Sequence, residues 1–518
     1  MTKSVSILWA DDEIDLLRPH ILLLEGKGFE VVTANNGEDA IDRVNERDFD
    51  LIFLDENMPG LTGLQVLTRI KAIRPNIPVI MITKSEEEDI MDEAIGSKIA
   101  DYLIKPVNPK QVLLTIKKFV DTKRLVSEKT TSTYQTEFGK IGMQISESLS
   151  WQDWIQVYRK LVYWELELKD TGDTPMDEVF RMQKTEANQS FTRFIKKNYT
   201  GWFSQDLGER PMLSPDVLKN KVFPLMNREI PIVLLVVDNL RYDQWKIMET
   251  VVSEIYAIEQ DELYFSILPT ATQYARNALF GGLMPLAISK IYPDIWKEDF
   301  EEGSKNMYEE ALLRSNLQRH NIPGKFIYDK ISSNRAGKKW AENAKTMLDQ
   351  PLSVLVYNFV DMLSHARTDT NMIRELADDE AAYRTLTQTW FLHSPMLELL
   401  RELAHYKVTV VITTDHGTTL VQDPIKVVGD RMTTTNLRYK QGKNLSYNPK
   451  EVFEIVRSED VHLPRTNVST RYIFATGSDF FAYPNNYNHY VKYYRNTFQH
   501  GGISLEEMII PLIVLQPK

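Results

Sequence analysis

The chain has 518 residues, 43% hydrophobic and 26% charged, which is the range of folded globular proteins and leaves room for three or four domains. A formal charge of -11 argues against non-specific coating of DNA, and the absence of cysteine excludes disulfides, thiolate-bound zinc and a thiol nucleophile. Any metal must be held by His, Asp, Glu or hydroxyl groups. No apolar run approaches the ~20 residues of a membrane-spanning helix, and Met1 leads directly into a short apolar strand, so the expectation is a cytoplasmic protein without membrane insertion.

Residues 1 to 122 alternate apolar runs with amphipathic stretches: Val5 to Trp9, Glu30 to Thr33, Leu51 to Leu54, Val79 to Ile82 and Tyr102 to Ile104, each followed by a helix-patterned segment. Five such units imply a doubly wound parallel sheet, the flavodoxin-like arrangement. Acids and their companions stand at the ends of these runs. Asp11 and Asp12 follow ILWA, Asp55 ends LIFL, Thr83 ends VIMI, and Lys105 ends YLIK before Pro106. Open α/β sheets place their ligand sites at such strand ends. The acids can hold a Mg²⁺ ion, which prefers oxygen ligands; Asp55 is the natural nucleophile toward a phosphoryl group, and Lys105 offers it a compact positive charge. Thr83 can follow the new phosphate, and Tyr102 can turn inward when Thr83 moves.

The set DDE, LDENMPG, T and KP resembles the CheY-like receiver family over essentially all of residues 1 to 120. The resemblance implies that Asp55 accepts phosphate from a histidine kinase, that Asp11, Asp12 and the Asn57 carbonyl bind Mg²⁺, and that Thr83, Tyr102 and Lys105 form the switch.

From Asp121 to Phe138 the sequence turns polar and rich in Thr, Ser and Lys, and from Ser150 to Asp206 it carries Trp, Leu, Glu, Lys and Arg at helical spacing. The expectation is a linker and helical domain over residues 123–205. A second, larger α/β domain over residues 206–518 opens with IVLLVVDNLRYD, where Asp238 ends an apolar run. In ILPTATQYARNALFGGLMP, Thr272 precedes a helix-patterned segment; a hydroxyl at a helix N-terminus sits in positive potential, which favours an alkoxide and a bound phosphate. VLVYNFVDMLSHA puts Asp361 and His365 four residues apart, on one face if a helix follows the strand. VTVVITTDHG ends in Asp415 and His416, and TFQHGG supplies His500. With 9 His and 72 acids, an acid-His neighbour pair is expected about once by chance, so the ordered set carries the inference rather than any one member.

That set resembles the PglZ branch of the alkaline phosphatase superfamily over residues 206 to 518. The resemblance implies two zinc ions, one on Asp238, Thr272, Asp415 and His416 and the other on Asp361, His365 and His500. Thr272 is favoured over Thr270 as nucleophile because related phosphodiesterases place a Gly ten positions on and a Pro at thirteen, which Gly282 and Pro285 match. Two-metal phosphoryl transfer through a covalent phosphothreonine follows. Arg276, one helical turn after Thr272, could clamp a non-bridging oxygen.

The segments Pro285 to Asp349 and Asp423 to Tyr494 can form caps over the site. The second interleaves cations and aromatics (RMTTTNLRYKQGKN, FFAYPNNYNHYVKYYRN), which suits oligonucleotide or cyclic-nucleotide phosphodiesters. The full-length order resembles response regulators of the PorX type, linked to type IX secretion. That resemblance implies a PorY-like sensor histidine kinase, contact with an extracytoplasmic-function sigma factor or secretion component, and a homodimer. The alternative is a recruitment platform with vestigial catalysis. A DNA-binding regulator fits least, since no basic recognition helix closes the chain.

Overall fold

The structure, a computed structural model, describes residues 5–75, 77–84, 99–147, 149–169, 174–298, 301, 304–322, 324–369, 379–430, 433–465 and 467–518. The chain divides into two compact units, Met1–Thr133 and Tyr134–Lys518. Among the described residues no helix is long and apolar enough to cross a membrane.

In the first unit, strands Glu30–Ala34, Ser6–Ala10, Leu51–Asp55, Val79–Thr83 and Asp101–Ile104 form one parallel sheet in that spatial order. The three central strands are buried throughout, as continuous runs of Ile, Leu, Val and Phe require when helices cover both faces. Strand residues alternate between faces, so Leu8 and Leu54 enter one core while Ile7 and Phe53 enter the other. Helices Arg18–Glu25, Gly37–Glu46 and Gly63–Ile73 make three of the connections, the last two capped by the side chains of Asn36 and Thr62. The helix expected after Val79–Thr83 falls on residues 85–98, outside the described residues.

The stretch from Asp121 to Phe138, expected as a linker, belongs instead to one helix, Pro109–Ser146. No Gly or Pro interrupts residues 110–138, and Tyr134, Ile141 and Ile145 are buried, so packing outweighs the modest helix propensity of Thr and Ser.

In the second unit, helices Trp151–Lys169 and Thr174–Asn198 share the core of the sheet that follows them. Trp154 meets Phe191 edge-on, and Trp202 meets Phe265 of the sheet. Lys184 joins the two helices through Glu165 at 3.0 Å and ties them to the rest of the unit through Glu380 at 2.8 Å and Glu506 at 3.1 Å. The main sheet runs Tyr256–Phe265, Ile509–Pro517, Thr409–Thr413, Ile232–Val237, Leu352–Tyr357, Phe326–Ile331. Its last four strands are mutually parallel, and Ile509–Pro517 is antiparallel to both its neighbours.

The segment Pro285 to Asp349, expected as a cap, contributes strand Phe326–Ile331 to the edge of this sheet, so part of it is scaffold. Five of the six residues of FIYDKI are half-buried, as suits an edge position. Asp423 to Tyr494 builds a small lobe of short strands outside the main sheet, Asp423–Lys426 with Asp479–Ala482, and Tyr439–Gly442 and Phe453–Ile455 on either side of Arg471–Phe474, with Tyr439, Phe453 and Tyr472 reaching into the main core. Arg431 and Met432 of that segment lie outside the described residues.

Candidate functional site

Three adjacent parallel strands deliver the acids of the second unit. Asp238 directly follows Ile232–Val237, Asp415 lies two residues past Thr409–Thr413, and Asp361 sits in the first turn of helix Phe359–Asp369, which follows Leu352–Tyr357. His500 follows the short strand Thr497–Gln499, which pairs with Thr419–Val421 just beyond His416. That pairing stacks the two imidazoles with ring centres 4.2 Å apart.

Ligand atoms of Asp238, Asp415 and His416 lie within 4.8 Å of one another, and so do those of Asp361, His365 and His500. His416 Nε2 is 3.6 Å from Asp415 Oδ2 and 3.9 Å from Asp238 Oδ1. Around Asp361 Oδ1, His365 Nε2 stands at 3.5 Å and His500 Nε2 at 3.8 Å. The other ring nitrogens are occupied: His416 Nδ1 lies 3.1 Å from Gly417 O and His500 Nδ1 3.2 Å from Thr270 O. A proton held on Nδ1 by a carbonyl leaves Nε2 with its lone pair toward the acids.

Thr272 is the first residue of helix Thr272–Gly281, and its Oγ1 lies 3.0 Å from His416 Nε2. Thr270, by contrast, is fully buried; its hydroxyl donates to Gly502 O at 2.8 Å and accepts from the Gly501 N–H at 3.1 Å, a structural bracket for the His500 loop. The Gly and Pro spacing has a physical reading. Gly282 ends the helix at φ +56° where a Cβ would lie 2.6 Å from Asn316 Oδ1, and Pro285 opens helix Pro285–Ile291.

Asp238 Oδ1, Asp415 Oδ2 and Asp361 Oδ1, the oxygens facing the imidazoles, are each buried without a hydrogen-bond partner. Burial raises Asp238 to about 6 against the pull of Arg276, and raises Asp361 and Asp415 as well. Burial lowers His416 to about 4 and His500 to about 3, which keeps both rings neutral at pH 7. Neutral imidazoles beside orphaned carboxylate oxygens are the donor set of a divalent cation such as zinc or manganese, so these residues fit the expected metals.

Arg276 is placed differently from a substrate clamp. It is buried, with Nη1 2.5 Å from Asp238 Oδ2 and Nε 2.8 Å from Glu309 Oε1. Glu309 was not singled out in the sequence, where EEALL reads only as acids in a helix's first turn.

In the first unit, Asp11 and Asp55 are buried and Asp12 exposed, and their carboxylate oxygens cluster within 4.8 Å. Lys105 Nζ lies 3.0 Å from Asp11 Oδ2 and 2.8 Å from Asp55 Oδ1. Burial raises Asp55; burial also works against the charge of Lys105, but its hydrogen bonds to Asp55 and Asp11 outweigh that and raise it. Gly63 is required here, since a Cβ would lie 2.4 Å from the Asp55 carbonyl oxygen. Thr83 donates to Glu56, a partner the sequence did not reveal, and Tyr102 is 40% exposed. Asn57 lies in the exposed loop after Asp55.

Three family models match this chain. Residues 7–117 match the response regulator receiver domain, 124–203 the PorX response regulator linker domain, and 217–515 the BREX system PglZ alkaline phosphatase-like domain. Among curated proteins, the transcriptional regulatory protein ZraR of Klebsiella oxytoca is 36% identical over 140 residues, 27% of this chain and 32% of that protein. ResD of Bacillus subtilis is 34% identical over 116 residues, 22% of this chain and 48% of that protein. The chain therefore spans a third to a half of these relatives. Among solved structures, a CheY-like receiver domain protein from Methanospirillum hungatei is 27% identical, covering 23% of this chain and 96% of that one with a TM-score of 0.23. A receiver domain protein from Clostridium thermocellum is 32% identical, covering 23% and 98% with a TM-score of 0.22.

Proposed function

Because this chain is a response regulator that belongs to the PglZ alkaline phosphatase-like family, we propose that phosphorylation of Asp55 controls a metal-dependent phosphodiesterase built on Thr272. The observation that carries this reading is the pair of acid and imidazole triads around Thr272 Oγ1, with three buried carboxylate oxygens left to a cation. Asp238, Thr272, Asp415 and His416 would hold one divalent ion, and Asp361, His365 and His500 a second, with zinc the first choice. Two such ions would supply Lewis-acid stabilisation of the attacking and leaving oxygens.

The chain's own residues do the rest. The N-terminus of helix Thr272–Gly281 stabilises negative charge on Oγ1. Attack on phosphorus forms a bond to Thr272 and breaks the bond to the leaving oxygen; water then cleaves the phosphothreonine and restores the hydroxyl. His365 is the exposed member of its triad, which leaves that side open to substrate.

Linear or cyclic oligonucleotides are the substrate class the small lobe supports. Helix Tyr487–Tyr494 has no buried residue and ends six residues before His500; His489 stacks on Tyr493, Tyr490 on Tyr494, and Lys426 lies 4.7 Å over Tyr487. Aromatic faces beside cations accept bases and phosphates without sequence preference. In the receiver, Asp11, Asp12 and the Asn57 carbonyl would hold Mg²⁺ for transfer from a sensor histidine kinase of the PorY type. The PorX-type linker supports a role in type IX secretion, in which a sigma factor or secretion component and a second copy of this chain are the proposed partners.

The test is hydrolysis of bis-p-nitrophenyl phosphate and short oligonucleotides by metal-loaded protein beside Thr272→Ala, with metal content assayed in both. Cleavage by the wild type alone, with metal retained in the variant, supports the reading. Two bound metals without cleavage by either protein would turn the assignment to a recruitment platform.

A further inference from the structure

The helix that begins at Thr272 is braced from behind by polar groups, most of them buried, that belong to neither triad. Arg276, one turn past Thr272, gives Nη1 to Asp238 Oδ2 at 2.5 Å, lies 3.8 Å from Asp415 Oδ2, and donates through Nε to Glu309 Oε1 at 2.8 Å. Glu309 is fully buried at the start of helix Glu309–Arg319, and its Oε2 accepts from Lys330 Nζ at 2.9 Å and from the Tyr328 hydroxyl. Lys330 also donates to the Asn306 carbonyl. Asn306 Nδ2 in turn donates to the Thr272 carbonyl at 3.0 Å and to Asn277 Oδ1 at 3.1 Å. The chain of contacts thus closes on both the nucleophile's backbone and the Asp238 carboxylate.

We propose that Arg276, Glu309, Lys330 and Asn306 are positioning residues that hold Asp238 with Oδ2 on the guanidinium and Oδ1 turned toward His416, and so build a divalent-cation site before substrate arrives. The inference rests on the metal-dependent reading above and deepens it. The division of labour within one carboxylate is its physical basis: Oδ2 has a charged donor, while Oδ1 is buried with none. Groups that orient a metal ligand in this way are worth about 10- to 100-fold in metal affinity. A role as phosphate clamp fits the same arginine less well. Its Nε already serves Glu309 and Nη1 serves Asp238, so two of the three guanidinium nitrogens are turned to protein carboxylates rather than to a phosphoryl group.

The experiment compares full-length wild type with Glu309→Gln, Lys330→Met, Arg276→Met and Arg276→Lys. Each protein is stripped with chelator, checked for folding by circular dichroism, and titrated with Zn²⁺ by calorimetry; orthovanadate inhibition is then measured at metal saturation. The expected result is two metal-binding steps in the wild type, with one step weakened about 10- to 100-fold in Glu309→Gln and Arg276→Met. Arg276→Lys should recover part of the loss, and vanadate inhibition at saturation should stay within a few fold. Should Arg276→Met fail to fold, the near-isosteric Glu309→Gln and the partly exposed Lys330→Met carry the test. Unchanged metal affinity in these variants, with or without weakened vanadate inhibition, overturns the inference. A wild type that takes up no divalent cation instead removes the metal reading itself, and this inference with it.

Discussion

Both units gather acids at the carboxyl ends of parallel strands, yet they treat the resulting charge in opposite ways. In the receiver, Lys105 places a permanent cation between Asp11 and Asp55, and Asp12 stays in water. In the second unit, Asp238, Asp361 and Asp415 turn buried oxygens toward imidazoles that burial keeps neutral. Arg276 answers only the far side of Asp238 and lies 3.8 Å from Asp415 Oδ2. A buried carboxylate without a partner costs several kcal/mol. The receiver cluster therefore has a lysine of its own against two of its acids, whereas the second cluster turns three buried oxygens to a space that holds no lysine, which is what the proposed cations would answer.

The sharpest way to separate the two sites is to remove each phosphoryl acceptor in turn. Thr272→Ala should lose phosphodiester hydrolysis by at least about 10³-fold, the scale on which a deleted nucleophile acts. It should still form an acid-labile phosphate at Asp55 from acetyl phosphate, read on a phosphate-affinity gel. Asp55→Asn should do the reverse, losing the acyl phosphate while hydrolysis by the unphosphorylated protein stays within a few fold. Loss of both reactions in either variant would break the comparison, because it would make the two sites one.

Metal removal is the next largest effect. A cation present at about 100 times its dissociation constant stabilises the state that binds it by about 2.7 kcal/mol. Chelation should therefore lower the calorimetric transition of the second unit, and leave that of the receiver in place because Lys105 is part of the chain. Equal shifts in both transitions would show that the receiver also depends on its ion for stability.

The contrast was partly legible in the sequence, and the division is instructive. Asp11, Asp55, Asp238 and Asp415 could be read because short apolar runs rich in β-branched residues end in them or just before them, and their length favours a buried strand. Asp361 and His365 could be read from their four-residue spacing on helix Phe359–Asp369. Glu309 could not. It comes from a helix start some 37 residues past Thr272, and nothing local distinguishes a first-turn acid that caps a helix from one that reaches Arg276. Arg276 was visible as a charge one turn after the nucleophile, but what it faces depends on Asp238 and Glu309, which long-range packing alone brings together. The helical run through Asp121 to Phe138 was missed because Thr and Ser lower helix propensity locally, while the burial of Tyr134 that supports the helix is a tertiary fact.

A buried cation in the small lobe mirrors the orphaned carboxylates and gives the smallest of these effects. Lys440, on strand Tyr439–Gly442, is 1% exposed; Nζ donates to Thr434 O at 2.8 Å and lies 4.7 Å over the Tyr483 ring. No carboxylate among the described residues forms an ion pair with it, and burial lowers its pKa to about 7. An unfolded lysine keeps its proton to about pH 10.4, so between pH 7 and 10 the unfolded chain binds more protons and stability rises with pH. Below pH 7 the folded protein bears the full cost of the buried charge. Lys440→Met should therefore gain about 2 kcal/mol at pH 6.5, once the lost hydrogen bond and ring contact are set against the relieved charge. The gain should shrink toward zero by pH 10, as read by denaturant unfolding at the two values. An equal gain at both would trace the effect to packing rather than charge, and would remove Lys440 as the positive counterpart of Asp238 and Asp361, with which no lysine among the described residues forms an ion pair.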